Sequence, residues 1–166
     1  MTYLYLLSLL TLVAYIGYAL EVCGLPASLS DTYYILKEKS RPSWLFQLAM
    51  VLCPMLLVPV WLELSSESVQ FLSFLACGGL MFVGTAPLFK EEFQRNVHFG
   101  GTIVAGLGTT LWLVLSGMWY IPSAFFFVSG IVMLFKKKWL FWLEMALFAS
   151  AYSGLLVKMM ERKLFD

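Results

Sequence analysis

Charge is what this chain has least of. Its 166 residues hold 11 Lys and Arg and 10 Asp and Glu, 13% in all, against 61% hydrophobic residues and a mean hydropathy of +0.84. Globular domains carry about 25% charged residues, so too little polar surface is left to solvate a water-soluble domain. Histidine occurs once, at His98, which excludes a multi-histidine zinc site and leaves only a mixed site with Asp or Glu open. The three cysteines, Cys23, Cys53 and Cys77, have the spacing of neither a disulfide framework nor a metal cluster. Two of them fall inside apolar runs, where a small apolar side chain suffices. Cys23 lies at a run boundary, where an idle thiol is the simpler reading and acylation the alternative. A net charge of +1 with no basic module gives no sign of nucleic acid as a partner. No cofactor is implied. Residues 1–7 contain no Lys or Arg and no small-x-small site follows, so the first apolar run reads as retained rather than cleaved as a signal peptide.

What the chain does have is six apolar runs, at 3–20, 44–62, 69–86, 99–116, 120–135 and 139–157. A spanning helix needs about 20 apolar residues to cross about 30 Å of hydrocarbon, and none of the runs contains a Lys or Arg. They are apolar all round rather than alternating, which predicts helices facing lipid or one another and not barrel strands. The expected fold is therefore an all-α, polytopic bundle of six spans forming one integral membrane domain over 1–166. Run 120–135 covers only about 24 Å at a rise of about 1.5 Å per residue, so five spans plus a re-entrant segment is the alternative. Trp119, Tyr120 and the Lys136–Lys138 triplet bracket it as interfacial anchors and favour the full span. Pro54 and Pro59 fall inside the second run, where each removes a backbone donor and a bend is expected.

With six spans, the first, third and fifth loops share one face and hold eight Lys and Arg, whereas the opposite face holds Lys158, Arg162 and Lys163 only. The bias of basic residues toward the cytoplasm predicts odd loops inside and both termini outside, in a cell inner or plasma membrane. The same odd-loop face gathers the polar side chains. The first loop, 22–43, is the only lengthy connection, and Ser28-Leu29-Ser30-Asp31 has the S-x-x-D spacing of a reciprocal helix cap. Leu29, Tyr33 and Leu36 then form one apolar stripe, predicting a short helix lying in the headgroup layer. The third loop, 87–98, ends on His98. Glu21, Gln47, Arg95 and Glu144 reach the same face from the ends of their runs. Glu144 is the sharpest signal, because a short acid about 9 Å into a helix snorkels poorly and needs a partner or a proton; His98, Arg95 and Gln47 are the candidates, with helix-end stabilisation as the structural alternative.

His98 can serve as a base, with Asp31 orienting it and Ser28 or Ser30 as nucleophile; capping and turn formation explain the same serines and aspartate more simply. Lys90-Glu91-Glu92 and the Lys136–Lys138 triplet read as solvated helix ends, the triplet also meeting anionic headgroups. In the fourth run Gly101, Ala105 and Thr109 recur every four residues, predicting a smooth ridge that lets helices approach closely, with Ala76 and Gly79 as the facing surface. The alternative is a groove left for a lipid tail.

Pro26, Ser28, Ser30 and Asp31 after the first run, Trp44 and Phe46 opening the second, Gly84, Ala86 and Pro87 ending the third and His98 starting the fourth together resemble the six-span Frag/DRAM/Sfk-type family and related small bacterial membrane proteins. The likeness covers about residues 26–101. It implies a six-helix membrane protein, with links in some members to lipid-anchor remodelling or membrane trafficking, and it transfers no catalytic residue. Three functions are consistent with the residues. The leading one is a lipid- or partner-interacting protein whose odd-loop face binds a headgroup, a second copy or another membrane protein. A membrane-embedded lipid hydrolase or acyltransferase using Ser30, Asp31 and His98 is the second, and a small proton-coupled carrier relaying through Glu144 and His98 the third.

Overall fold

A computed structural model describes residues 1–88, 91–136 and 138–165, with the backbone alone at 88, 91–95 and 165. Among these residues the structure is wholly helical: α1 (Thr2–Cys23), α2 (Asp31–Glu38), α3 (Trp44–Leu64), α4 (Gln70–Thr85), a 3-10 turn (Ala86–Leu88), α5 (Glu91–Leu115), α6 (Tyr120–Phe135) and α7 (Trp139–Phe165). Four stretches, Thr2–Cys23, Trp44–Leu64, Asn96–Leu115 and Trp139–Leu164, are long and apolar enough to cross a membrane. Gln70–Thr85 and Tyr120–Phe135 are apolar but shorter.

The bundle is apolar outside as well as inside. Leu7, Leu10 and Val13 on α1, Ile103, Leu107 and Leu111 on α5, and Phe127, Ile131 and Leu134 on α6 are all exposed. Exposed apolar side chains along three helices are unusual on monomers in water, and they suit a helical membrane bundle. Trp44, Trp139, Tyr3, Trp119 and Tyr120, each at the start of a helix, are exposed large aromatics.

Two helices outlast their hydropathy. The 87–98 segment, read as a loop, is helical from Glu91, and residues 158–165, read as a tail, continue α7. An apolar run ends where charge begins, but Glu, Arg and Lys are good helix formers in a polar layer. Turns are set by local geometry. After α5, Gly117 adopts φ 79° while Met118 N–H bonds back to Leu113 C=O at 2.8 Å, the left-handed cap in which glycine avoids a Cβ clash. Ser40 adopts φ 51° in the corresponding position after α2.

The two prolines are absorbed within a continuous α3. Ser8 on α1 donates to the Cys53 carbonyl, one residue ahead of Pro54, at 2.9 Å. With that proton committed, Tyr152 on α7 donates to Ser8 Oγ at 2.6 Å, and Tyr5 donates to the Tyr152 carbonyl at 3.0 Å. This buried knot ties α1, α3 and α7 together.

The small residues bring α4 and α5 into backbone contact. A Cβ on Gly79 would lie 2.6 Å from both Ala105 N and Gly101 O, and one on Gly108 would lie 2.9 Å from Ala76 N. The ridge therefore runs through Gly101, Ala105 and Gly108 and leaves Thr109 off it. Steps of four drift about 40° round a helix of about 3.6 residues per turn, so a stripe of three contacts alternates four with three.

Candidate functional site

The connection from α1 to α2 is built by its own side chains. Ser28 N–H donates to Asp31 Oδ2 at 3.1 Å, and Asp31 N–H donates to Ser28 Oγ at 3.2 Å. This is the reciprocal cap that the S-x-x-D spacing predicts. Ser28 Oγ and Ser30 Oγ also lie 3.0 Å apart. The α2 stripe does not lie on lipid: Leu29 and Leu36 are buried in the bundle, and Tyr33 packs edge-on against Phe46 of α3. Thr32 donates to the Leu29 carbonyl at 2.5 Å and accepts from Tyr15 of α1. A stripe able to reach protein packing plus a hydroxyl partner is better satisfied there than at the headgroups.

Glu144 takes a different partner from those its position suggests. Its Oε2 accepts the Leu29 backbone N–H at 2.5 Å, and nearby Phe141 N–H donates to the Ala27 carbonyl at 3.0 Å. The start of α7 thus clamps the α1–α2 connection by one side-chain and one main-chain bond. Sequence reasoning looked for a side-chain partner, and no residue-type signal marks a backbone amide 115 positions away.

Two adjoining cavities result. The outer one encloses about 1030 Å³ of empty space, open mouth included, and is lined by Ser28, Ser30, Asp31, Tyr34, Phe46, Ala86, Pro87, His98, Phe99 and Leu140. Segments from the first loop, from the end of α4 and from the starts of α5 and α7 therefore meet at one end of the bundle. The inner cavity holds about 770 Å³, likewise with its mouth, and shares Ser30 and Phe46 with the outer. From Ser30 and Glu144 it runs between α3, α4, α5 and α7 past Met50, Pro54 and Leu57 to Trp61. Thr102, Ala105, Gly106 and Thr109 form its α5 wall, facing Leu147, Phe148 and Ala151 of α7. Toward the far end, Gly154 seats directly against Leu113 and Trp112, bringing α5 and α7 together there. Trp61 packs edge-on against Trp112, whose indole N–H donates to Ser65 Oγ at 2.7 Å.

All four residues read as candidate catalytic groups, Ser28, Ser30, Asp31 and His98, line the outer cavity. They are not wired as a triad. Among the described residues no hydrogen bond joins His98 to Asp31 or to either serine, and the groups acting on the His98 ring are the Asp31 charge and the Val83 backbone. Ser28 is 3% exposed and engaged in the cap. Of the residues read as binding groups, Glu144 lines the inner cavity, whereas Glu21 and Gln47 line neither. The Arg95 side chain, and Lys90 and Lys137 altogether, lie outside the described residues. No group of three or more His, Cys, Asp or Glu side chains among the described residues could hold a metal ion. Trp61, Gly106 and Phe148 were missed as site residues, because each reads from sequence as ordinary span lining. No family model, curated protein or solved structure matches the chain.

Proposed function

We propose that this chain is a six-span integral membrane protein that holds a single-chain lipid, its tail in the inner cavity and its headgroup in the outer one. The observation carrying this reading is the join between the two cavities at Ser30 and Phe46: a chamber carrying Ser28, Ser30, Asp31 and His98 opens into an apolar slot. Amphiphiles have that division of chemistry. In the same reading the two shorter helices complete the six spans, as the Frag/DRAM/Sfk resemblance implies, and the excess of Lys and Arg on the odd loops puts the outer cavity at the cytoplasmic surface of an inner or plasma membrane. Mass spectrometry of lipids extracted from the purified protein tests it, with Gly106→Leu as comparison. A Cβ at Gly106 would meet only the Leu147 methyls, at 3.5 and 4.0 Å, so the larger side chain fills the slot without displacing backbone. The wild type is expected to retain a lipid that Gly106→Leu lacks; identical lipid content in the two would reject the site.

A second reading is favoured by the convergence of Ser30, Asp31 and His98 on the outer cavity, where an ester bond at the headgroup junction of the same lipid would sit. Hydrolysis or acyl transfer there uses Ser30 as nucleophile and His98 as base. Ser30→Ala and His98→Ala then abolish lipid turnover while lipid retention persists; turnover surviving both substitutions rejects this reading.

A further inference from the structure

The two joined cavities are one-sided in charge. Among the described residues that line them, Asp31 and Glu144 carry carboxyl groups, His98 is the single basic side chain, and neither Lys nor Arg appears. Asp31 lines the outer cavity, Glu144 the inner one and Ser30 both, so the three gather where the chamber meets the slot. The Asp31 charge acts on Glu144 as it does on His98. Each carboxyl is only half used. Asp31 Oδ2 takes the Ser28 N–H and Glu144 Oε2 the Leu29 N–H, whereas Asp31 Oδ1 and Glu144 Oε1 accept no hydrogen bond among the described residues. Neither oxygen is sealed. The buried side-chain atoms without a partner are the Trp61 and Trp142 indole nitrogens and the Ser129 hydroxyl, so Oδ1 and Oε1 keep accessible surface. Ser30 Oγ is bonded to Ser28 Oγ alone and has a lone pair to spare.

We infer that the ligand is a long-chain primary amine, its ammonium held at the join by Asp31, Glu144 and Ser30 and its chain running down the slot. This rests on the lipid-site reading above and adds the class of lipid. Neighbouring carboxyl groups disfavour each other's charge, and a cation beside them removes that conflict. A primary ammonium also brings three hydrogens and no acceptor, one hydrogen for each of the three spare oxygens. An alcohol of the same length fills the slot but brings no charge to the acids. A phosphate or carboxylate head sets a further negative charge against Glu144, which stands in the slot itself, so the amine is carried directly on the chain.

The test titrates three probes of one chain length, hexadecylamine, cetyl alcohol and palmitoyl lysophosphatidylethanolamine, into the purified full-length protein in uncharged detergent micelles. Hexadecylamine is expected to bind about tenfold or more tightly than cetyl alcohol, the worth of a hydrogen bond to a charged group, with the lysophospholipid no tighter than the alcohol. Combined Asp31→Asn and Glu144→Gln leaves an oxygen to accept each main-chain N–H but removes both acids, and it should abolish the preference for the amine. Equal affinity of amine and alcohol for the wild type overturns the inference, as does tightest binding by the lysophospholipid or a preference that survives the double substitution. The lipid-site reading fails separately, when Gly106→Leu binds the amine and the alcohol as well as the wild type does or when no probe binds the wild type, and the inference then falls with it. Should the double variant not fold, the three wild-type affinities decide alone.

Discussion

The two edges of α5 are built from similar small residues, yet toward α4 Gly101, Ala105 and Gly108 close backbone on backbone, whereas toward α7 Thr102, Gly106 and Thr109 leave a cavity open. The difference lies in what faces them. Across from the first edge stand Ala76 and Gly79, as small as the residues they meet. Across from the second stand Leu147 and Phe148, which hold α7 at a distance that small α5 side chains do not fill. Nearer the far end the roles reverse, with Gly154 on α7 receiving Leu113 and Trp112 from α5, and the gap ends. In lipid, where helices gain little from apolar burial alone, close approach depends on small residues on both partners; on one partner only, they make space.

Substitutions at the two faces of α5 and at the mouth of the slot should break or sharpen this contrast. Gly79→Val should be the most damaging, because its Cβ would strike Ala105 and Gly101 backbone at 2.6 Å and backbone cannot rotate aside; a loss of about 3 kcal/mol or more is expected in detergent unfolding titrations. Glu144→Ala should cost about 2 kcal/mol, as the buried Leu29 N–H loses its acceptor, and should loosen the mouth of the slot; hydrogen exchange at Leu29 measures the second effect. Ser28→Ala removes one half of the reciprocal cap and should cost about 1 kcal/mol. Its lipid content should stay at the wild-type level, and a loss of bound lipid with unchanged stability would mean that Ser28 touches the ligand instead. Gly106→Leu should be nearly neutral in the same unfolding titration. A penalty as large as that of Gly79→Val would show that the second edge is as tightly closed as the first.

Much of the fold was legible in the residues. The absence of Lys and Arg from six runs located the helices, the S-x-x-D spacing gave the α2 cap with both partners, and Gly101, Ala105, Ala76 and Gly79 were readable as one contact. The candidate site was legible only at its polar mouth. Ser28, Ser30, Asp31 and His98 differ from their neighbours in chemistry, so composition singles them out. Gly106, Phe148 and Trp61 do not, since an apolar residue lining a slot and one packed in a core are alike in sequence. Glu144 stood out as an acid in an apolar run, but its partner is a main-chain amide, a group every non-proline residue carries. Helix ends misled for a related reason: hydropathy marks where oil stops, while α5 and α7 continue as charged helix beyond that point.

The knot of Tyr5, Ser8, Cys53 and Tyr152 bears on traffic of hydrogen ions through the bundle. Following each proton, Tyr152 gives to Ser8, Ser8 gives to the Cys53 carbonyl, Tyr5 gives to the Tyr152 carbonyl, and the Cys53 thiol gives to the Ser8 carbonyl. All three lines terminate on amide oxygens, which have nothing to pass on. The knot is a rivet through α1, α3 and α7 rather than a wire.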